Sequence, residues 1–85
     1  MQQNMIKVLE GIKNHQSLSY SDLNLTKNEF GDVVQMIKSK KYATNIYVRK
    51  MDDVYTMIDI SDGDLTSKGY HYLAEALDFN VTDEL

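Results

Sequence analysis

The chain has 85 residues, which is enough for one small domain with a single hydrophobic core. It contains no cysteine, which excludes disulfides and thiolate metal sites and suits a reducing cytoplasm. No apolar run has the length of a signal peptide core or a membrane span, so a cytoplasmic protein is expected. The net charge of -4 at pH 7 argues against a uniformly basic surface that would bind nucleic acid.

The charge is distributed unevenly along the chain. Residues 1–50 carry eight basic and four acidic side chains, whereas residues 51–85 carry one basic and nine acidic side chains. A basic face is therefore compatible with an acidic protein, and we expect that face in the first half of the chain.

The first two elements expected are helices. Apolar residues recur at helical spacing over residues 5–12, which predicts a helix capped by Asn4. After a short extended link, Ser19 is expected to cap a single helical turn, Tyr20–Leu23, which Asn24 ends.

The third helix has the clearest local signal. Thr26 and Glu29 have the spacing of a capping box, so this helix is expected to begin at Lys27. Gly31 costs about 1 kcal/mol relative to alanine inside a helix, so either a neighbour approaches closely there or an exposed position tolerates it. The apolar residues that define the core face of this helix are Phe30, Val33, Val34 and Ile37.

Two runs rich in β-branched and aromatic residues follow, from Tyr42 to Lys50 and from Val54 to Ile60. The residues between them, 51–53, are short and polar enough for a hairpin turn. Both faces of each predicted strand carry apolar side chains, so the pattern leaves open which face of the hairpin is buried.

The last predicted helix follows a polar turn. Thr66 is positioned to cap this helix by accepting a hydrogen bond from the amide of Lys68 or Gly69. One domain is expected over residues 1–77, followed by an acidic C-terminal tail over residues 78–85. The fold class expected is α+β, a winged helix-turn-helix with three N-terminal helices, a β-hairpin wing and a C-terminal helix.

Two segments of the chain carry a resemblance to one family. The first is Leu18-Ser19-x-x-Asp22-Leu23-x-Leu25-Thr26-x-x-x-Phe30-x-Asp32-x-Val34, and the second is Leu65-Thr66-x-Lys68-Gly69-x-x-Tyr72-Leu73. In these segments the chain resembles the YjcQ-like winged-helix proteins of bacteria and their phages, which are mostly uncharacterised. The resemblance covers roughly residues 5 to 77 and implies a winged-helix fold with a DNA-binding or regulatory role.

The function expected from this fold is double-stranded DNA binding, in a transcriptional regulator or an accessory DNA-binding protein. In the major groove the third helix would present Asn28 and Gln35 to adenine edges, because amide side chains pair with adenine. The helix has Asn28, Asp32 and Gln35 where many winged helices have arginine or lysine. The cations expected to neutralise phosphates are Lys27, Lys38, Lys40, Arg49 and Lys50.

The same cations have a simpler explanation. Lys38, Lys40 and Lys41 complement the negative end of a helix dipole, and Arg49 and Lys50 keep a hairpin tip hydrated. The alternative function is therefore a winged-helix module that binds protein and not DNA, since six tyrosines and five methionines offer adaptable contact surface. A regulator that reads paired half-sites would form a homodimer, through the first helix or through the last helix and tail.

Catalysis and metal binding are not expected. His15 and His71 lack ligand-like spacing, and no glutamate closes a calcium loop around Asp59-x-x-Asp62-Gly63-Asp64. Neither a nucleophile elbow nor a glycine-rich phosphate loop is recognisable in the sequence. The chain is thus expected to be a non-enzymatic protein without a cofactor.

Overall fold

The computed structural model describes residues 2–16 and 18–84, with side chains within 3–16 and 18–77. In this part the helices are α1 (Gln2–Lys13), a 3-10 helix (Tyr20–Leu23), α2 (Lys27–Ser39) and α3 (Ser67–Glu84). The strands are β1 (Ala43–Thr44), β2 (Tyr47–Met51), β3 (Val54–Asp59) and β4 (Asp64–Leu65). The α+β class, the three N-terminal helical segments, the hairpin and the C-terminal helix are confirmed.

Hydrogen bonds between side chains and backbone amides fix the start of the 3-10 helix and the start of α2. The Thr26 hydroxyl accepts a hydrogen bond from the Glu29 amide (3.1 Å), and the Glu29 carboxylate accepts one from the Thr26 amide (2.8 Å). This arrangement is the predicted capping box of α2. The Asp22 carboxylate likewise accepts a hydrogen bond from the Ser19 amide (2.8 Å), and Asn24 ends the 3-10 helix with a left-handed backbone (φ 56°).

The first helix begins earlier than predicted. It begins at Gln2, so Asn4 lies inside α1 and does not cap it, which makes the predicted cap wrong. The apolar spacing that indicates this helix begins only at Met5, and the polar residues before it carry no periodic signal.

The core lies between α1, α2 and the residues that follow them. The predicted apolar face of α2 is confirmed, because its four residues are at most 3% exposed. The buried residues of α1 are Met5, Ile6, Val8, Leu9 and Ile12. The part of the chain that follows α2 adds six more residues to the same core, Tyr42, Ala43, Ile46, Ile60, Leu65 and Leu73.

The first predicted strand is broken in two by Asn45. This residue has a left-handed backbone (φ 58°) between β1 and β2, so a single strand over 42–50 is wrong. β1 pairs antiparallel with β4, with Ala43 opposite Leu65, while β2 pairs antiparallel with β3. Asp64 was expected in the polar turn before the last helix. Because it lies opposite Thr44 in this pairing, it belongs to β4.

A β-bulge at Thr56 decides which face of the β2–β3 hairpin is buried. Arg49 lies opposite Met57 and Lys50 lies opposite Tyr55, so Thr56 is an extra residue in β3. Strict alternation would place Tyr55 on the same face as Met57. The bulge turns Tyr55 to the other face, where it is only 2% exposed.

The hairpin turn is a two-residue loop. Asp52 and Asp53 both have positive φ values, 50° and 66°, which is the backbone of a type I′ turn. The predicted position of the turn is thereby confirmed and narrowed to these two residues, since Met51 belongs to β2.

Thr66 connects the start of α3 to the end of α2. Its hydroxyl oxygen accepts a hydrogen bond from the Gly69 amide (3.1 Å), as predicted, and the hydroxyl donates one to the Lys41 carbonyl (2.6 Å). The backbone of α3 continues as helix through Glu84. The side chains of the predicted acidic tail lie outside the described residues, and the domain boundary at residue 77 stays a prediction.

Candidate functional site

The β2–β3 hairpin packs on the N-terminal half of α2 through Tyr55. A Cβ atom placed on Gly31 would lie 2.4 Å from the Tyr55 ring, so a side chain at this position would collide with the ring. Close approach of a neighbour was one of the two explanations for Gly31, and the structure identifies Tyr55 as that neighbour. The face of α2 around Gly31 is therefore covered by the hairpin.

Tyr55 also contacts one acidic and one basic side chain. Its hydroxyl donates a hydrogen bond to the Asp32 carboxylate (2.6 Å), and the Lys50 ammonium lies 5.1 Å from the centre of its ring. The hydrogen bond to Asp32 raises the pKa of Tyr55 to about 12, and burial and the negative charge of Asp32 act in the same direction. Tyr55 thus remains a hydrogen-bond donor at neutral pH.

The tip of the hairpin reaches the first turn of α2. The Asn28 side-chain amide donates a long hydrogen bond to the Asp53 carbonyl (3.5 Å). This contact brings the acidic turn residues Asp52 and Asp53 beside the N-terminal end of α2. Asn28, predicted to contact adenine, is therefore used in this contact with the hairpin.

A second group of cations lies where α2 ends and α3 begins. We call Lys38, Lys40, Lys41 and Lys68 the lysine cluster. Lys38 lies in the last turn of α2, and Lys40 is its C-cap residue. The hydrogen bond from Thr66 to the Lys41 carbonyl brings the first turn of α3 to this end of the molecule, and the Lys68 ammonium lies 5.6 Å from the centre of the Tyr42 ring.

The cations of this protein have few acidic partners. Within the described side chains one charged pair forms, between His71 and Glu75 on the exposed surface of α3 (3.0 Å). None of the lysine or arginine side chains in the described ranges has a carboxylate partner. Their charges are available to an external anion such as a phosphate.

All seven residues predicted to contact DNA are exposed, and they lie on two elements, α2 with its C-cap residue and strand β2. Lys27, Asn28 and Lys50 lie at the N-terminal half of α2 and on the hairpin that packs there. Arg49 lies opposite Met57 on the face of the hairpin that points away from α2. Gln35 lies farther along α2. Lys38 and Lys40 belong to the lysine cluster at the C-terminal end of this helix.

Two members of the lysine cluster, Lys41 and Lys68, are not among the seven residues predicted to contact DNA. Twenty-seven positions separate them in the sequence, and the hydrogen bonds of Thr66 to the Lys41 and Tyr42 carbonyls bring them together. Pairing of β1 with β4 is the long-range contact that makes this approach possible.

Among the described residues, no cluster of three or more histidine, aspartate or glutamate side chains is arranged to hold a metal ion. In the same part of the chain, none of the helices combines the length and the apolar composition that crossing a membrane requires.

Comparison of the chain with protein-family models, with curated proteins and with solved structures finds no match. What can be said about function therefore depends on the α+β fold and on the surface that its cations form.

Proposed function

We propose that this chain is a winged helix-turn-helix protein that binds double-stranded DNA, as a transcriptional regulator or an accessory DNA-binding protein. The order of α1, the 3-10 helix, α2, the β2–β3 hairpin and α3 supports this proposal, because winged helices have that order. The resemblance of two segments to the YjcQ-like winged-helix proteins supports it as well.

The lysine cluster is the observation that carries the proposal. Four basic side chains come together at the end of α2 and the start of α3, and none of them has a carboxylate partner within the described residues. Such a group of cations favours binding of an anionic ligand. Helix-dipole complementarity explains cations at the end of α2 but not Lys68, because the start of a helix disfavours a cation. Binding of phosphates accounts for all four lysines together.

The proposal assigns most of the affinity to phosphate contacts. The Asn28 amide donates one long hydrogen bond to the hairpin turn and keeps its other N–H and its oxygen, while Asp32 accepts a hydrogen bond from Tyr55, so the hairpin restricts access of base edges to this half of α2. Gln35 is exposed and lies between the hairpin and the lysine cluster along α2. It is the side chain to which we assign base contact.

The test is binding to a mixed-sequence DNA duplex, measured by fluorescence anisotropy at several salt concentrations. The K38E/K40E variant reverses two charges of the lysine cluster, and K7E/K13E reverses two exposed cations of α1 as a matched control. We expect K38E/K40E to lose binding, while K7E/K13E keeps most of its affinity. For the unmodified chain, log K should fall with log salt by about 0.9 for each phosphate contact.

Two results would contradict the proposal. The first is no binding to any duplex at low salt by the unmodified chain, which would favour the protein-binding alternative. The second is an equal loss of affinity in both double variants, because it would make net charge and not the lysine cluster responsible.

A further inference from the structure

The face of the hairpin that points away from α2 is unusually apolar for an exposed surface. We call it the outer hairpin face, and it is built from three cross-strand pairs: Tyr47 with Asp59, Arg49 with Met57, and Met51 with Val54. Its apolar side chains are 49%, 41%, 62% and 53% exposed for Tyr47, Met57, Met51 and Val54. Half of the eight large apolar side chains exposed in the described part of the chain lie here. Such a concentration marks a contact surface more often than scattered exposed residues do.

The two charged side chains on this face, Arg49 and Asp59, are complementary to those on the same face of a second copy. Arg49 lies in β2 opposite Met57. Asp59 lies in β3 opposite Tyr47, in the neighbouring pair of the outer hairpin face. One carboxylate oxygen of Asp59, Oδ1, accepts hydrogen bonds from the Ser61 amide (2.9 Å) and hydroxyl (2.6 Å). These hydrogen bonds lower the pKa of Asp59, so it stays ionised at neutral pH, and its other oxygen can accept from a guanidinium.

We propose that the outer hairpin face binds the same face of a second copy, in a two-fold dimer where Arg49 of each copy pairs with Asp59 of the other. In this arrangement the two-fold axis runs parallel to the strands between the two faces. It places β2 of one copy over β3 of the other, so that Met51 packs on Val54 and Arg49 lies over Met57. Asp59 of the second copy is then two residues along the strand, about 6.7 Å away, within the reach of an arginine.

The size of the face sets the strength of the dimer. Three pairs of residues cover less than the roughly 800 Å² per partner that a stable interface buries, so association is weak and depends on concentration. The lysine cluster lies outside the outer hairpin face and remains exposed in the dimer. The dimer therefore does not depend on the proposed DNA binding.

Sedimentation velocity over a concentration series tests the dimer. The unmodified chain should shift from monomer to dimer between about 10 μM and about 1 mM, the range expected for an interface of this size. R49D and D59R should each associate at least about tenfold more weakly, because each puts like charges opposite one another. K7D, with the same change of charge on α1, should associate like the unmodified chain.

The decisive measurement mixes the two variants. A copy with two aspartates should bind a copy with two arginines, so an equimolar mixture of R49D and D59R, each shown by circular dichroism to be folded, should regain association. M57K provides an independent check, since it places a cation opposite Arg49 of the second copy and should weaken the dimer. A monomer across the whole series, a mixture that does not associate, or an M57K variant that associates normally would overturn the proposal. K38E/K40E should dimerise normally, which separates this result from the outcome of the DNA test.

Discussion

The two ends of α2 carry similar cations in different surroundings. At the N-terminal end, the Lys50 ammonium lies over the ring of Tyr55, which donates a hydrogen bond to Asp32, and the hairpin turn contacts Asn28, the residue after Lys27. At the C-terminal end, the lysine cluster gathers four cations from α2, the loop after it and α3. In the described part of the chain the cations at both ends lack a carboxylate partner, so the ends differ in how many cations they bring together. Exposure alone does not distinguish the two ends, because the cations at both are exposed.

The two ends of α2 perform different tasks. The N-terminal half of α2 holds the hairpin against the helical core, and its polar side chains are used for that packing. The C-terminal end is held in place by α3, whose first turn adds Lys68 to the lysine cluster. Variants that disturb the packing at each end are the way to test this division.

Replacing Gly69 with alanine should have the largest effect, at the C-terminal end. A Cβ atom there would lie 1.9 Å from the carbonyl oxygen of Tyr42, which is backbone and cannot move aside cheaply. We expect G69A to lower the free energy of unfolding by about 3 kcal/mol, the upper end for an overpacked site. Urea denaturation measures this loss, and S67A in the same turn should change stability by less than about 0.5 kcal/mol.

G69A also links stability to the lysine cluster. If α3 is pushed away from Tyr42, Lys68 moves away from Lys41, and the affinity for DNA should fall in the fraction of protein that remains folded. A G69A variant as stable as the unmodified chain would show that the start of α3 does not pack on Tyr42 as described.

Removing the Tyr55 hydroxyl should have an intermediate effect, at the N-terminal end, and the effect should depend on pH. The ordinary pKa of tyrosine is near 10, and that of Tyr55 is raised to about 12, so the protonated form is favoured in the folded state. Its contribution is fully present below pH 10 and is lost as the pH rises from 10 towards 12.

The measurement compares urea denaturation of the unmodified chain and Y55F from pH 7 to pH 11. At pH 7 the unmodified chain should be more stable by about 2 to 3 kcal/mol, because its hydrogen bond has a charged acceptor. This advantage should stay constant up to pH 9 and shrink above pH 10. Y70F, which removes the hydroxyl of a tyrosine that is 50% exposed, is the matched control. A Y55F difference that does not change with pH would contradict the described role of the hydroxyl.

The parts of the fold with local signals could be predicted from sequence. The capping box at Thr26 and the apolar spacing after it define α2 almost completely, because both depend on neighbours within one or two turns. The cap at Thr66 and the two-residue turn between the strands are local in the same sense. The missed first turn of α1 shows the limit of this reasoning, since its residues carry no periodic signal.

The features that create the candidate site depend on contacts between distant residues. The left-handed backbone of Asn45 lets β1 leave β2 and pair with β4. Asparagine adopts this backbone more readily than most residues, but the β-branched and aromatic residues around it favour one continuous strand. The bulge at Thr56 has no sequence signal either, because both faces of the predicted strand carry apolar groups. Membership of Lys68 in the lysine cluster follows only after α3 packs on the end of α2.

Replacing Gly31 with alanine should have the smallest effect of the three, and its sign is informative. Helix propensity alone predicts that G31A stabilises the protein by about 1 kcal/mol. Collision of the new methyl group with the Tyr55 ring, which Asp32 holds through the hydroxyl, opposes this gain by about 2 to 3 kcal/mol. We therefore expect a net loss of stability of about 1 to 2 kcal/mol in urea denaturation, while Q35A, at an exposed position of the same helix, stays within about 0.5 kcal/mol. A gain of stability in G31A would mean that the hairpin does not press on α2, and the N-terminal half of the helix would then be open to a duplex like the C-terminal end.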